Sequence, residues 1–382
     1  MKLAIVGGAM LAVGAAALLT GVLPVGDALR IGERVWPILL FVAAVTVVAE
    51  LASLAGLFDV VAARLARMAR RRTWALWVLV VVLAVVATAF LSLDTTAVLL
   101  TPVVIALARA HRLNPLPFAF ATVWLANTAS LILPVSNLTN LLAVHRLGMP
   151  APAPFVALMW PSAVVAILVT VTILWLTHRR ELRGRFEPAP SPAVADRRLL
   201  VAAAVVVVAL LPLLVTGVPP WIPALGAAVA LAAVYLWRAP AALRPALVPW
   251  QLIVFASGLF LVVGALEALG SGAVLSALAG RGDDLFALWR LAGSGMLGAN
   301  AVNNLPAYLA LESASDSPRR VAALLIGVNA GPLITPWASL ATLLWHQRLT
   351  TLDVDVPWRR YVLLGLVAAP VTVALSILPL AA

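Results

Sequence analysis

The chain contains no cysteine. Disulfides, thiolate metal sites and thiol nucleophiles are thereby excluded. Histidine is scarce as well: there are four, none in a spaced cluster, which argues against a metal enzyme. Charged residues make up only 11% of the chain, against 64% hydrophobic. With a mean hydropathy of +1.08, this composition lies outside the soluble globular range and points to an all-α polytopic membrane protein. The net charge of +11 does not mark a nucleic-acid binder. Nearly all of it falls between apolar segments, where arginines hold loops in the cytoplasm and meet lipid headgroups. The partner this implies is the lipid bilayer.

What is present is organised around one stretch, Asn127 to Leu147, which reads NTASLILPVSNLTNLLAVHRL. Apolar sequence leads into it from Phe118. Then come Asn127, Thr128, Ser130, Pro134, Ser136, Asn137, Thr139 and Asn140. Hydrocarbon cannot satisfy so many polar groups, nor the backbone groups that Pro134 frees, so the stretch must line a buried or watery cavity. Interrupted helices of this kind hold substrate in secondary transporters. The stretch recurs at Asn329 to Leu349 as NAGPLITPWASLATLLWHQRL. A shift of 202 positions brings Asn127 onto Asn329, Pro134 onto Pro336, and Arg146-Leu147 onto Arg348-Leu349. The Asn-to-Pro spacing and the terminal Arg-Leu mark an internal repeat.

Arginine placement then gives a topology. Leu3–Leu23 reads as a first span rather than a signal peptide, Pro24–Arg34 as an outer loop, and Val35–Leu57 as a second span carrying Glu50. Arg64, Arg67, Arg70, Arg71 and Arg72 hold the next turn inside, so the N-terminus is cytoplasmic. Trp74–Leu91 and Val103–Ala108 are apolar, with Ser92, Asp94, Thr95 and Thr96 between them and basic residues on both flanks. That pattern predicts a re-entrant hairpin with its tip at Asp94–Thr96. The rival is two full spans with Asp94 in an outer loop. A broken helix over 117–148 crosses outward, and Phe155–Thr177 returns. The segment 178–198 holds six arginines plus Pro188, Pro190 and Pro192, and separates an N-terminal repeat, 1–177, from a C-terminal one, 199–382. In the second, a hairpin with its tip near Asn303 enters from outside, and a broken helix over 320–349 crosses inward. Arg319 and Arg320 then lie outside, against the charge bias. The two halves form an inverted-topology repeat with two re-entrant hairpins and two discontinuous helices, which would place one central site near the midplane.

The candidate substrate-binding residues are Thr95, Thr96, Asn127, Ser130, Ser136, Asn137, Asn300, Asn303, Asn304, Asn329, Thr335 and Ser339. Hydroxyls and amides both donate and accept, so they suit a neutral polyhydroxy solute, an oxyanion or a sodium ion. The competing role is helix-to-helix glue. Asp94 is the sole acid at a predicted tip. A charge there costs at least ~2.5 kcal/mol on insertion scales, which makes it a candidate proton or cation coupler. It also suits the N-cap of the helix starting near Thr95. Glu50 and Glu267 occupy matching spans, each followed by small residues (Ser53 and Gly56; Gly270 and Gly272). They form either a proton relay or structural pairs with arginine. Trp36, Trp74, Trp160, Trp237, Trp250 and Trp358 read as interfacial anchors.

Four motifs, LDTTAVLLTPVVIAL, NTASLILPVSNLTNLL, NNLPAYL and NAGPLITPWASLATLLW, together resemble the arsenite efflux pump family. That family belongs to the ion transporter superfamily, alongside sodium/proton antiporters and dicarboxylate, citrate and sulfate permeases. The resemblance runs from about Trp36 to the C-terminus. It implies export of arsenite or antimonite across a bacterial-type plasma membrane, coupled to proton entry or riding on a partner ATPase. It also implies that the tips at Asp94–Thr96 and Asn303–Asn304, with the loops after Asn127 and Asn329, form the site. No cofactor or bound metal is implied, and a second copy as partner is left open. Leu93 stands where the family often has Asn. The alternatives are an anion permease or sodium/proton antiporter on the same scaffold, and more remotely an intramembrane enzyme. Ser136 and His145, nine positions apart and thus ~13 Å along a helix, offer little for hydrolysis.

Overall fold

The computed structural model describes residues 2–149, 151–187, 189, 193–270 and 279–381. Helices account for nearly all regular structure among them. Seven are long and apolar enough to cross a membrane, and Ala4–Leu19 and Leu116–Leu131 are shorter apolar helices. The chain is an all-α polytopic membrane protein. Pro188, Pro190, Pro192 and Gly272 lie outside the described residues.

Helix α1 (Lys2–Leu19) is followed by α2 (Val25–Leu54), a helix of 30 residues. The sequence predicts a loop over Pro24–Arg34; the structure corrects this. Pro24 caps α2, and Asp27 and Arg30 form an ion pair one turn apart on its exposed side. Polar residues at i, i+3 spacing let a helix continue with one wet face. Arg34 is therefore inside a helix, not in a loop. Amphipathic α3 (Leu57–Met68) leads through an arginine-rich turn to α4 (Thr73–Leu91). Gly184 and Phe186 exchange backbone hydrogen bonds with Thr73 and Arg71, so the basic segment is pinned to that turn. We call this side of the molecule the basic end, and the opposite side the far end.

After Ser92 comes α5 (Leu93–Ala110), with a π-helical turn over Thr96–Leu100 just ahead of Pro102. Pro102 lacks the N–H that a regular turn would use. Helix α6 (Leu116–Thr128) gives way to irregular backbone through Asn137, and α7 (Leu138–Arg146) resumes. Then come α8 (Pro152–His178), α9 (Arg197–Leu213), α10 (Trp221–Arg238) and α11 (Trp250–Ala268). Helices α12 (Leu285–Val302) and α13 (Asn304–Glu312) are split at Asn303. Helix α14 (Pro318–Ala330) breaks until Ser339, where α15 (Leu340–Thr351) begins; α16 (Trp358–Ala381) ends the chain.

Packing interleaves the N- and C-terminal parts: α1 lies along α11, α2 along α10, and α8 along α16. At the α1–α11 crossing, a Cβ on Gly7 would sit 2.7 Å from the Phe255 backbone. Only small residues permit helices in lipid to approach so closely. Tyr235 on α10 donates to the Leu51 carbonyl of α2 at 2.7 Å. An aromatic cluster of Phe120, Trp124, Trp345 and Tyr361 joins the two interrupted helices to α16. A Cβ on Gly365 would collide with the Leu333 carbonyl, so α16 presses directly on the second break.

Candidate functional site

The two breaks have matching local geometry. Asn137 (φ −152°, ψ 146°) and Ser339 (φ −140°, ψ 150°), 202 positions apart, are both extended residues starting the second segment. Each caps it: Asn137 accepts from the Thr139 N–H, and Ser339 from the Thr342 N–H. Such caps satisfy amides that hydrocarbon could not.

The breaks meet at Asn329. Its Oδ1 accepts from Asn137 Nδ2 and from the Thr139 hydroxyl, both at 2.9 Å, and its Nδ2 donates to Asn140 Oδ1 at 2.8 Å. Asn140 Nδ2 in turn donates to the Ser130 and Leu133 carbonyls, and the Ser136 hydroxyl to the Ala89 carbonyl of α4 at 2.9 Å. All of these groups are buried. Asn127, the counterpart of Asn329, behaves differently. Its Nδ2 donates to its own helix at Val123 O, while its Oδ1 is buried without a donor. A buried acceptor without a donor is costly unless something else supplies one.

The interruption between α4 and α5 falls at Ser92 (φ +84°, ψ 160°), and Asp94 lies in the first turn of α5. Ser92 also supplies the cap, accepting from the Thr95 N–H, so Asp94 does not fill that role. The interruption between α12 and α13 is at Asn303 (φ +115°, ψ 155°), whose Oδ1 accepts from the Leu305 N–H. Both dihedral pairs are strained for residues other than glycine, a condition concentrated at functional sites.

Asn300, Asn303 and Thr335 form a second polar group. Asn300 donates to Met296 O and Gly331 O, and its side-chain oxygen accepts from the backbone N–H of Ile334 and Thr335. Trp337 Nε1 donates to Asn300 O at 2.8 Å, and Asn303 Nδ2 to Trp337 O at 2.9 Å. Asn304 holds the break from its backbone, donating to Ala338 O. Asn300 is thus saturated and stitches α12 to the second break. Thr96 accepts from Thr88 within α4.

Asp94 and Thr95 face a cavity of about 380 Å³. Glu50 and Thr46 of α2, Gln251 at the start of α11, and Arg348 of α15 also line it, and one wall is the segment 246–249 at the basic end. Asp94 Oδ1 is buried with no hydrogen-bond partner, while Arg348 lies within coulombic reach of Glu50. Glu267 does not join Glu50 in a relay. It is exposed at the far end of α11, in reach of Glu312, Arg34 and Arg146. Sequence reasoning missed Thr139, Asn140, Gln251, Trp337 and Arg348 as neighbours of the candidate residues. Thr139 and Asn140 shared the run with Asn137, and Arg348 stood out only as a repeat match.

The family model described as a citrate transporter matches residues 2–344. The arsenical pump membrane protein of Yersinia enterocolitica is 31% identical, covering 92% of this chain and 88% of that protein. The arsenical pump membrane protein of Escherichia coli K12 is 32% identical over 73% of this chain and 70% of its own length.

Proposed function

The chain belongs to the citrate transporter family, and from that premise we propose that it exports arsenite or antimonite by alternating access, with proton entry as the driving reaction. In this proposal 1–177 and 199–382 are inverted repeats, each contributing one helical hairpin and one interrupted helix to a single site. The observation that carries it is the junction at Asn329, where two polar breaks in register meet in a buried interior, in a molecule that also buries acceptors without donors at Asn127 and Asp94. Arsenite at neutral pH is largely a neutral trihydroxide, a donor of three hydroxyl hydrogens, and both unpartnered oxygens are acceptors.

The basic end is assigned to the cytoplasm, because its loops carry most of the arginines. The cavity lined by Asp94, Thr95 and Glu50 is then the cytoplasmic entrance, and Asp94, a half-buried acid on its wall with Oδ1 unpartnered, carries the coupling proton. An anion is the second reading, supported by Arg348 on the cavity wall and by the family's citrate-transporter description.

The test is uptake into everted membrane vesicles under an imposed pH gradient. Arsenite is expected to accumulate with the wild type and not with Asp94→Asn, which should reach the membrane at normal levels. Citrate accumulation with arsenite untouched would favour the anion reading. Equal arsenite accumulation by Asp94→Asn would remove Asp94 as coupler.

A further inference from the structure

At the far end, one guanidinium ties together three elements distant in sequence. Arg34 of α2 donates from Nη1 to Glu312 Oε2 at 3.0 Å, from Nη2 to Glu312 Oε1, and from Nη2 to the Leu142 carbonyl of α7 at 3.3 Å. Tyr308 donates to Glu312 Oε1 at 3.1 Å. Beside this, Arg146 at the end of α7 donates from Nε and Nη2 to the Ser315 carbonyl, both at 3.1 Å. The Glu312 side chain is 7% exposed and that of Arg34 25%. A two-pronged pair of this kind is strong while dry, and removing one partner leaves a poorly solvated charge.

The matching place at the basic end lacks the clasp. Arg34 precedes Glu50 by sixteen positions, and Gln251 precedes Glu267 by the same sixteen. Gln251, uncharged, lines the open cavity where Arg34 would correspond to a closed junction. Neither Arg34 nor Glu312 is needed to hold a helix together, since each bonds outside its own helix apart from the Tyr308 contact.

We infer that the Arg34–Glu312 pair is the gate that shuts the far end of the transport path, and that its parting opens the site to that side. The inference rests on the alternating-access proposal and adds to it the residues that close one side. Because the chain has no native cysteine, a single introduced thiol reports access cleanly. Ala143 is fully buried and follows Leu142, whose carbonyl Arg34 holds, so Ala143→Cys puts a thiol in the helical turn that the pair clasps.

Labelling by a membrane-impermeant maleimide applied to the far side is the measurement. Slow labelling is expected with the pair intact or with Arg34→Lys. Arg34→Gln and Glu312→Gln are expected to label roughly tenfold faster or more, as a shifted two-state equilibrium requires. Ala166→Cys, buried in α8, should remain unlabelled in every variant. Unchanged labelling of Ala143→Cys in Arg34→Gln overturns the gate, and so does faster labelling at both positions, which would mean general loosening. The readout needs no transport. Failure of the gate with arsenite still carried leaves the functional proposal standing, and the reverse outcome leaves the gate standing.

Discussion

Two positions on α2 set the molecule's ends side by side. Around Glu50 the surrounding elements stand apart and enclose a cavity. Around Arg34, sixteen residues and so ~24 Å along the same helix, three elements are clasped by an ion pair and carbonyl contacts. The distance is most of the ~30 Å thickness of a hydrocarbon core. One helix therefore touches an open region at one end and a closed one at the other. The difference teaches where asymmetry enters a repeated architecture. Asn137 and Ser339 cap their segments alike, but Asn329 makes three hydrogen bonds to the other break while Asn127 Oδ1 has no donor. The local geometry is shared, and the contacts across the molecule are not.

The sharpest way to break this comparison is to substitute the two asparagines separately. Asn329→Ala strips partners from Asn137, Thr139 and Asn140 at once, and each buried group left unpaired costs about 1–3 kcal/mol. Arsenite efflux should fall by roughly tenfold to a hundredfold, with loss of thermal stability. Asn127→Ala removes only a bond within its own helix, so its effect should be confined to substrate affinity, with thermal stability nearly unchanged. Equal loss of stability in both variants would show that the junction is not where the two breaks are held.

A smaller effect separates the two glutamates. Glu50→Gln alters the cavity that holds Asp94 and should slow transport several-fold, about 1 kcal/mol in the barrier. Glu267→Gln, at an exposed site, should stay within about twofold of the wild type. Equal impairment, measured as initial efflux rates in intact cells, would restore the idea of a shared relay.

Much of the helical plan was legible in the sequence, and for a physical reason. Polar residues and prolines within hydrocarbon-length apolar runs have few tolerable arrangements, so NTASLILPVSN and NAGPLITPWAS both announced interruptions. The 202-residue shift even places the two capping residues, Asn137 and Ser339, onto each other. What was not legible depended on tertiary context. Ser92 interrupts the helix with a positive φ that no sequence rule assigns to serine, next to the more conspicuous Asp94. The charges of Pro24–Arg34 suggested a loop, yet they fall on one face of a continuous helix. Arg34 and Glu312 lie 278 positions apart, and nothing local links them. Arg320 looked like a breach of the charge bias. It is buried, donating to the Ala314, Gly282 and Gly280 carbonyls, so its charge serves packing rather than topology.

The central claim is that the site is reached from the basic end and shut at the other. Thr95→Cys, on the cavity wall beside Asp94, tests it directly in the cysteine-free chain. Its labelling by an impermeant maleimide would be compared in everted and right-side-out membrane vesicles. Rapid labelling is expected in everted vesicles, where the basic end faces the reagent, and little in right-side-out ones. Equal rates, or labelling only in right-side-out vesicles, would contradict the claim.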